Sequence, residues 1–126
     1  MKKIINTSKA PAPIGPYSQA VQAGNMLFIS GQIAIDPKTG ELKTGDLKTE
    51  TTQVLENLRE VLAEAGYDFN HIVKTSIFLS DMALFQQVNE IYGSYFKDSF
   101  PARETVAVAG LPKNVNVEIS VVAYKP

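Results

Sequence analysis

The chain has 126 residues, of which 44% are hydrophobic, and its 12 Lys and Arg residues nearly balance its 13 Asp and Glu residues, for a formal net charge of −1. A near-neutral chain lacks the excess positive charge that binds polyanions, so nucleic acid is not an expected partner. The absence of cysteine excludes disulfides, thiolate metal sites and a cysteine nucleophile, and one histidine is too few for a histidine-rich metal centre.

The length is that of a single globular domain over residues 1–126. Near the N-terminus, lysines precede only Ile4 and Ile5, whereas a secretory signal needs about 7–15 apolar residues. No run approaches the roughly 18 apolar residues of a membrane span. We therefore expect a cytoplasmic protein without a membrane partner.

The first part of the chain predicts a loop followed by a hairpin. Residues 9–16 are rich in proline, which favours an extended loop. Apolar runs at residues 20–23 and 26–30 flank a Gly-Asn pair, a pattern typical of a β-hairpin, and residues 32–35 are expected to continue as a strand. Residues 36–40 supply the Pro and Gly of a turn.

Helical periodicity is clearest between Asp46 and Ala65. Apolar side chains recur there at steps of three, four and seven residues, which predicts a helix with one apolar face. Asp46 is the expected N-cap, because its carboxylate can accept the free N–H groups of the first turn. Gly66 is expected just beyond the C-terminus of this helix.

The next segments predict a strand and a second helix. Residues 72–79 are rich in β-branched and aromatic side chains, which favours a strand. Ser80 and Asp81 can cap a helix that we expect to end at residues 98–101. The predicted inner face of this helix is apolar and consists of Leu84, Phe85, Val88, Ile91, Tyr92 and Tyr95.

Residues 105–108 and 115–124 predict two final strands, so the whole order predicts an α+β fold in which two helices cover one face of a mixed sheet. Alternate side chains of the last strand point to opposite faces. One set is apolar, and the other is mixed: Glu118, Ser120, Val122 and Tyr124. A half-apolar open face on a small domain predicts burial against another subunit.

Two charged side chains are candidates for chemistry. Arg103 stands at the entrance of a strand after a proline, where a guanidinium can grip a carboxylate through two hydrogen bonds or form an ordinary surface ion pair. Glu118 can orient or deprotonate a water, or it can face solvent. Because a short connection joins their strands, the two residues could be neighbours in an antiparallel pair, which would also allow a plain ion pair.

Other candidates have two interpretations each. Tyr17 can form a pocket wall or pack over the sheet edge. Gly31, after Ser30, allows either close approach by a ligand or a β-bulge. His71 has no suggested partner and is interpreted as structural or exposed. The sequence contains no GxGxxG or Walker spacing and no nucleophile elbow, so neither a nucleotide cradle nor acyl-enzyme chemistry is supported.

Several segments carry a wider pattern: Gly15-Pro-Tyr-Ser-Gln-Ala20, Phe28-Ile-Ser-Gly-Gln32, Asp36-Pro37, Val73-Lys-Thr75, Val88-Asn-Glu-Ile-Tyr92, Phe100-Pro-Ala-Arg103, Leu111-Pro112 and Val117-Glu-Ile119. In this order they resemble the RidA family, also called the YjgF family. The resemblance runs nearly end to end. The Pro-Ala-Arg motif followed by Leu-Pro and Glu-Ile is its specific part.

The resemblance implies a chorismate-mutase-like α+β fold assembled as a homotrimer, with ligand sites in clefts between subunits. It also implies hydrolysis of reactive 2-imino or enamino acids, such as 2-iminobutanoate and 2-iminopropanoate, to 2-keto acids and ammonia. Pyridoxal-phosphate enzymes such as threonine and serine dehydratases release these imines. Neither a cofactor nor a metal is implied for this chain.

By position, the resemblance assigns the substrate carboxylate to Arg103 and the attacking water to Glu118. The implied pocket also includes Tyr17 (from across the interface), Ser30, Gly31, Phe85, Asn89 and the backbone of Thr105. Two positions depart from the family pattern. Thr105 stands where many members have cysteine, so thiol-based activity is not expected. Glu104 stands where relatives usually have a small residue, and strand alternation would point it away from Arg103.

Other functions stay open at this point. A non-enzymatic trimer could bind or sense small keto acids through the same Arg103 cleft, because carboxylate binding serves both roles. Ribonuclease activity, translation inhibition and chaperone-like holding are also attributed to the family. The sequence contains no Lys/Arg cluster that would favour RNA.

Overall fold

Six β-strands form one mixed sheet, and two α-helices pack on one of its faces. The computed structural model describes residues 1–126. Its elements in chain order are β1 (Lys2–Ile5), β2 (Ala20–Ala23), β3 (Met26–Gln32), α1 (Leu47–Glu64), β4 (Ile72–Leu79), α2 (Phe85–Gly93), β5 (Ala102–Ala107) and β6 (Val117–Tyr124). The strands lie in the order β1-β2-β3-β6-β4-β5, and only β4 and β5 are parallel neighbours. The predicted α+β fold is therefore confirmed. A membrane crossing would need a longer or more apolar helix than either of these.

The apolar stripe of α1 forms the centre of the core. It packs against the inward-facing residues of β3, β4 and β6, and its buried side chains are Val54, Leu55, Leu58, Val61 and Leu62. Asp46 caps the helix, since its Oδ1 accepts a hydrogen bond from the Thr49 N–H at 2.8 Å. Gly66 follows the helix with a φ of 80°, a value that favours glycine. The predicted helix and both of its ends are confirmed.

The second helix is shorter than the sequence predicts. Asp81 caps a 3₁₀ turn, Met82–Leu84, and α2 follows this turn directly and ends at Gly93 instead of at residues 98–101. Just beyond α2, the Ser94 hydroxyl donates to a carbonyl of the last turn at 2.6 Å. This side-chain bond satisfies a free carbonyl, so the helix can stop a turn earlier than its apolar pattern indicates.

Two further segments differ from the prediction. The edge strand β1 was not predicted, because its lysines interrupt the apolar pattern, yet it pairs along its whole length with β2. Residues 33–35 were predicted as strand, but they leave the sheet, and Ile35 makes only an isolated bridge to Leu42. Asn57 of α1 donates to the carbonyls of Ile33 and Ile35 at 3.1 and 3.0 Å, and these bonds replace the strand pairing.

Three buried polar side chains attach loops to this core. Gln19 binds the proline-rich loop by accepting from the Thr7 N–H and donating to the carbonyls of Thr7, Ala10 and Pro11. Asn57 holds residues 33–35, and Glu50 holds the start of β6. Glu50 and Asn57 lie on the same face of α1 as its apolar stripe. The helix that fills the core therefore also fixes two loops.

The face of the sheet away from the helices is half apolar and uncovered within the chain. Its most exposed apolar side chains, by fractional exposure, are Ile4 (50%), Phe28 (46%), Tyr124 (44%) and Val106 (43%). The strand register places these residues on the same face as Glu118. A sheet face that leaves large apolar side chains uncovered in this way is typical of contact with another protein surface.

Candidate active site

Arg103 projects from the edge strand β5 toward α2. One of its N–H groups donates to Asn89 Oδ1 at 2.7 Å, and its guanidinium carbon lies 5.3 Å from the ring centre of Tyr92 and 5.7 Å from that of Phe85. It forms no ion pair within the chain. The remaining donors border a hollow of about 420 Å³. An arginine held by aromatic rings, but without a counter-ion, can bind a ligand carboxylate.

The approach to β5 restricts where Arg103 can lie. Ser99 has a left-handed φ of 54° and turns the chain toward β5. Phe100 then packs on the buried Phe96, with ring centres 6.0 Å apart, and Pro101 limits the backbone angle before the strand. The Phe-Pro-Ala-Arg sequence therefore positions the guanidinium beside α2.

Glu118 lies in a second cavity, of about 360 Å³. The apolar part of its lining consists of Pro11, Ala12, Ile14, Ile33, Ile35 and Pro112, and the rest of Tyr17, Gln19, Ser30, Gly31 and Gln32. The carboxylate is half-buried, and burial raises the pKa of Glu118 above its ordinary value of 4.5. No donor of this chain offsets that burial. Such a carboxylate is suited to accept a proton from a bound water.

A β-bulge in β3 forms the wall behind Glu118. Register shifts between Ile29 and Gln32 against β6, so Ser30 and Gly31 form the bulge. The Ser30 hydroxyl donates to the Ser18 carbonyl at 2.6 Å and ties the bulge to the proline-rich loop. A Cβ at position 31 would lie 2.8 Å from Glu118 Cδ and would contact Oε2 more closely still. The bulge interpretation of Gly31 is therefore confirmed, and the Glu118 side chain lies close against it. Approach of a ligand to Gly31 stays a prediction.

Replacing Gly31 with alanine is expected to displace the Glu118 carboxylate. The new methyl group would overlap the Glu118 side chain, and this side chain can move more easily than the backbone of the bulge. The family resemblance predicts imine hydrolysis with Glu118 as a catalytic group, and we expect this activity to fall at least about tenfold, since misplacing such a group by about 1 Å can cost on the order of 100-fold. Steady-state kinetics measures the loss. The control is Gly45→Ala, where an added Cβ meets nothing within 4 Å. Equal rates for the two variants would contradict the prediction.

Arg103 and Glu118 are not neighbours, and the predicted antiparallel pairing of their strands is wrong. β4 lies between β5 and β6, with Thr75 opposite Arg103 and Phe78 opposite Glu118. The backbones of the two residues are thus about 10 Å apart both along and across the strands. Their side chains also point to opposite faces, since Arg103 contacts α2 whereas Glu118 faces away from the helices. One copy of the chain therefore holds two separate places, the Arg103 hollow and the Glu118 cavity. Because the family resemblance implies a site shared between subunits, we call them the two half-sites.

The other candidate residues divide between the two half-sites. Tyr17, Ser30 and Gly31 lie with Glu118, whereas Phe85 and Asn89 lie with Arg103. Thr105 shares the Arg103 side of β5, and its buried hydroxyl oxygen has no hydrogen-bond partner. The sequence did not indicate that Tyr92, predicted as core, also supports the guanidinium, nor that Ile14 and Pro112 line the Glu118 cavity. Proximity to a functional loop was the only available signal for these residues.

Glu104 points away from Arg103. It forms an ion pair with Lys74 at 2.8 Å and accepts a hydrogen bond from the Ser76 hydroxyl. The bonds from Lys74 and Ser76 hold the pKa of Glu104 below its ordinary value. Glu104 therefore does not compete with a ligand for the guanidinium of the same chain.

Comparisons with known proteins find relatives over nearly the whole chain. The sequence profile described as endoribonuclease L-PSP matches residues 7–125. The chain is 55% identical over 125 residues to a RutC family protein of Pyrococcus horikoshii, with 99% of each chain covered. It is 51% identical to the 2-iminobutanoate/2-iminopropanoate deaminase of Mus musculus, covering 99% of this chain and 93% of the relative. It is also similar to the crystal structure of Escherichia coli TdcF with bound serine, with a TM-score of 0.94, 39% identity, and coverage of 98% and 99% of the two chains.

Proposed function

The chain belongs to the endoribonuclease L-PSP (RidA/YjgF) family, and from this premise we propose that it is a hydrolytic deaminase that converts 2-imino or enamino acids to 2-keto acids and ammonia. The observation that carries the proposal is the pair of half-sites, one with an unpaired arginine and the other with an unpaired carboxylate. Relatives about 50% identical are named deaminases of 2-iminobutanoate and 2-iminopropanoate, which are the candidate substrates.

Arg103 binds and orients the substrate. A 2-imino acid carries its carboxylate beside the electrophilic carbon of the C=N group. The free N–H groups of Arg103 bind this carboxylate, while Asn89 and the rings of Phe85 and Tyr92 hold the guanidinium in place. Fixing the carboxylate fixes the direction from which the imine carbon can be attacked.

Glu118 activates the water. Its carboxylate accepts a proton as the water oxygen bonds to the imine carbon, and the π pair of the C=N bond becomes a lone pair on nitrogen, which takes up a proton. The nitrogen takes that first proton from solvent. In the resulting carbinolamine, protonated Glu118 returns its proton to the nitrogen, the C–N bond breaks as the C=O bond forms, and the hydroxyl proton passes to solvent. The nitrogen leaves as ammonia, and Glu118 returns to its starting state. Water is the only co-reactant.

A complete site requires two copies of the chain, since Arg103 and Glu118 face opposite sides of the sheet. We expect a cytoplasmic homotrimer in which Arg103 of one copy meets Glu118 and Tyr17 of the next. The half-apolar sheet face supplies a surface for this assembly, and closed rings of identical copies are a common solution for such contacts.

Mixing two inactive variants is expected to restore activity if the site is shared between copies. Arg103→Ala and Glu118→Gln chains, unfolded together at equal concentration and refolded, would form hybrids in which about a quarter of the sites pair an intact arginine with an intact glutamate. We therefore expect about a quarter of wild-type turnover. Variants that are refolded separately and then assayed together at once are the control. A mixture no more active than its parents would contradict a site shared between copies.

RNA cleavage, which the family description names, has less support from the residues of this chain. The net charge is −1, whereas RNA binding favours a basic surface. The single histidine, His71, accepts a hydrogen bond from the Asp68 N–H at 2.9 Å and lines neither half-site. No imidazole is therefore available there for acid–base chemistry.

A coupled assay tests the proposal. Threonine dehydratase and threonine generate the imine, and release of 2-oxobutanoate is followed with and without the protein. We expect the protein to accelerate release. Binding of 2-oxobutanoate without any acceleration would instead support the alternative of a non-enzymatic, carboxylate-binding regulatory trimer.

The pH dependence of hydrolysis is expected to report on Glu118. The carboxylate must be ionised to accept a proton, and burial raises its pKa above 4.5. Activity should therefore fall as the pH is lowered through a value higher than that of an exposed glutamate. The measurement is kcat/KM for a synthetic imine between pH 4 and pH 8, conditions chosen to span the ordinary glutamate range. A rate independent of pH over this range would contradict a role for Glu118 as base.

A further inference from the structure

Glu50 is fully buried on α1. Its side-chain hydrogen bonds all go to Asn116 and Val117, where β6 begins. Its Oε2 accepts from the backbone N–H groups of Asn116 at 2.7 Å and Val117 at 3.0 Å. Its Oε1 accepts from Asn116 Nδ2 at 2.9 Å. Three donors converge on one carboxylate, and Glu118 is the next residue after Val117.

Two further hydrogen bonds, both from Ser80, hold Asn116. The Ser80 N–H donates to the Asn116 carbonyl at 3.0 Å, and the Ser80 hydroxyl donates to Asn116 Oδ1 at 3.0 Å. The chain reaches this point through a turn in which Lys113 and Asn114 have φ values of 55° and 56°. Such left-handed residues are unfavourable unless their surroundings hold them in place.

We propose that Glu50 is a positioning residue that holds the Glu118 carboxylate against the bulge at Gly31 by fixing the backbone of Asn116 and Val117. Glu118 fits closely between β6 and the bulge, because a Cβ on Gly31 would lie 2.8 Å from Glu118 Cδ. A small shift of the strand start would therefore move the carboxylate out of this fit. The catalytic consequence rests on the proposed function, whereas the positioning itself can be tested without it.

A purely structural role would give a different result. In that case, loss of Glu50 would lower the stability of the protein but leave the surroundings of Glu118 unchanged. Within one chain, Glu118 is the only charged side chain lining its cavity, and Tyr17 is the only other titratable one. The NMR titration uses an Arg103→Ala background in every form, which removes the guanidinium that the proposed assembly brings to Glu118 from the next copy. The pKa of Glu118 therefore reports how far its own carboxylate is withdrawn from water, which a structural role would not alter.

The experiment compares four forms of the full-length protein. Glu50→Met removes all three acceptor bonds with little change in volume. Glu50→Gln keeps one oxygen for the two backbone N–H groups, and its NH2 group can donate to Asn116 Oδ1 once the Asn116 amide turns over and donates to the Ser80 hydroxyl oxygen instead. It is therefore the conservative rescue. Leu58→Ala is the stability control. Leu58 lies in the hydrophobic core on the same helix, so its loss lowers stability but removes no hydrogen bond to β6. The side-chain carboxyl resonance of Glu118 is titrated by ¹³C NMR, and kcat and KM are measured well below each unfolding temperature.

In Glu50→Met we expect the pKa of Glu118 to fall toward 4.5 and kcat to fall about tenfold, with 2-oxobutanoate affinity unchanged within about twofold. Glu50→Gln and Leu58→Ala should retain the wild-type pKa and kcat. A Glu50→Met protein that matches Leu58→Ala in both quantities would overturn the proposal.

Two further outcomes remain decisive. If Glu50→Met does not fold, Asn116→Ala replaces it, since this change removes the side-chain bonds to Glu50 and Ser80 but keeps the backbone ones, and a smaller shift in the same direction is expected. If the wild-type protein does not hydrolyse imines, the proposed function fails. The NMR titration then still decides whether Glu50 positions Glu118.

Discussion

Replacing Arg103 with alanine is expected to lower kcat/KM for a 2-imino acid on the order of 100-fold or more, with the fold intact. The guanidinium has no acidic partner in the chain, so its free donors are available for the substrate carboxylate. Losing one partner of a hydrogen-bonded charge pair costs about 2–5 kcal/mol. Affinity for 2-oxobutanoate should fall with the rate, because the same contact binds the product. Coupled kinetics and calorimetric titration measure the two effects.

The chain supplies a matched control for this substitution. Arg59, on α1, also lies against two aromatic rings, 5.1 Å from the centre of Tyr95 and 5.7 Å from that of Phe69, but it borders neither half-site. Arg59→Ala removes the same charge and should leave turnover near the wild-type value. Arg103→Lys keeps the charge without the paired donors and should lie between the two. Turnover in Arg103→Ala close to that of the wild type would refute the assignment.

Replacing Glu118 with glutamine is expected to lower kcat about 100-fold or more, the usual contribution of a general base, while 2-oxobutanoate binding stays nearly unchanged. Glutamine is close in size and fits the same cavity beside Gly31, but it cannot take the proton of the attacking water. The predicted separation between rate and binding distinguishes this residue from Arg103. An equal loss in both would instead mean that Glu118 only shapes the cavity.

In an Arg103→Ala background, which removes the guanidinium that the proposed assembly brings to Glu118, the same substitution is expected to raise stability at neutral pH. Burial raises the pKa of Glu118 in the folded state, so ionisation of this carboxyl favours the unfolded chain once the pH exceeds its ordinary value of 4.5. Glutamine removes that cost, and the gain should vanish in acid, where the carboxyl is protonated in both states. Thermal unfolding at several pH values measures the difference. Glu104→Gln is the control, since this residue faces the same side of the sheet but is paired with Lys74.

The parts of the fold that the sequence predicted are those governed by local periodicity. The stripe of α1 and its cap at Asp46 could be read from residues adjacent along one helix, and the hairpin around Gly24 from a short turn. The end of α2 could not, because a serine bond just beyond Gly93 competes with an apolar pattern that runs further. The path of residues 33–35 could not either, since it depends on Asn57 of a distant helix.

The candidate site shows the same division. The motifs identified Arg103, Glu118 and the residues around them by type and order, and the structure adds the partners that hold each one: Asn89 and Tyr92 for the arginine, and the bulge at Gly31 for the glutamate. Glu50 was predicted only as part of a helix. A charged residue on the apolar stripe was the available signal, but its partners lie in β6, far along the chain.

By itself, the sequence determined the α+β class and the long helix, because these follow from side-chain chemistry and short-range spacing, and its family motifs indicated Arg103 and Glu118 as the candidates for holding a carboxylate and activating a water. Only the tertiary structure decided where the two charges lie. Nothing in the connection between residues 103 and 118 reveals that β4 inserts between β5 and β6, because strand order depends on packing across the whole sheet. That order puts Arg103 and Glu118 on opposite faces, so two groups fifteen residues apart in sequence cannot meet within one chain.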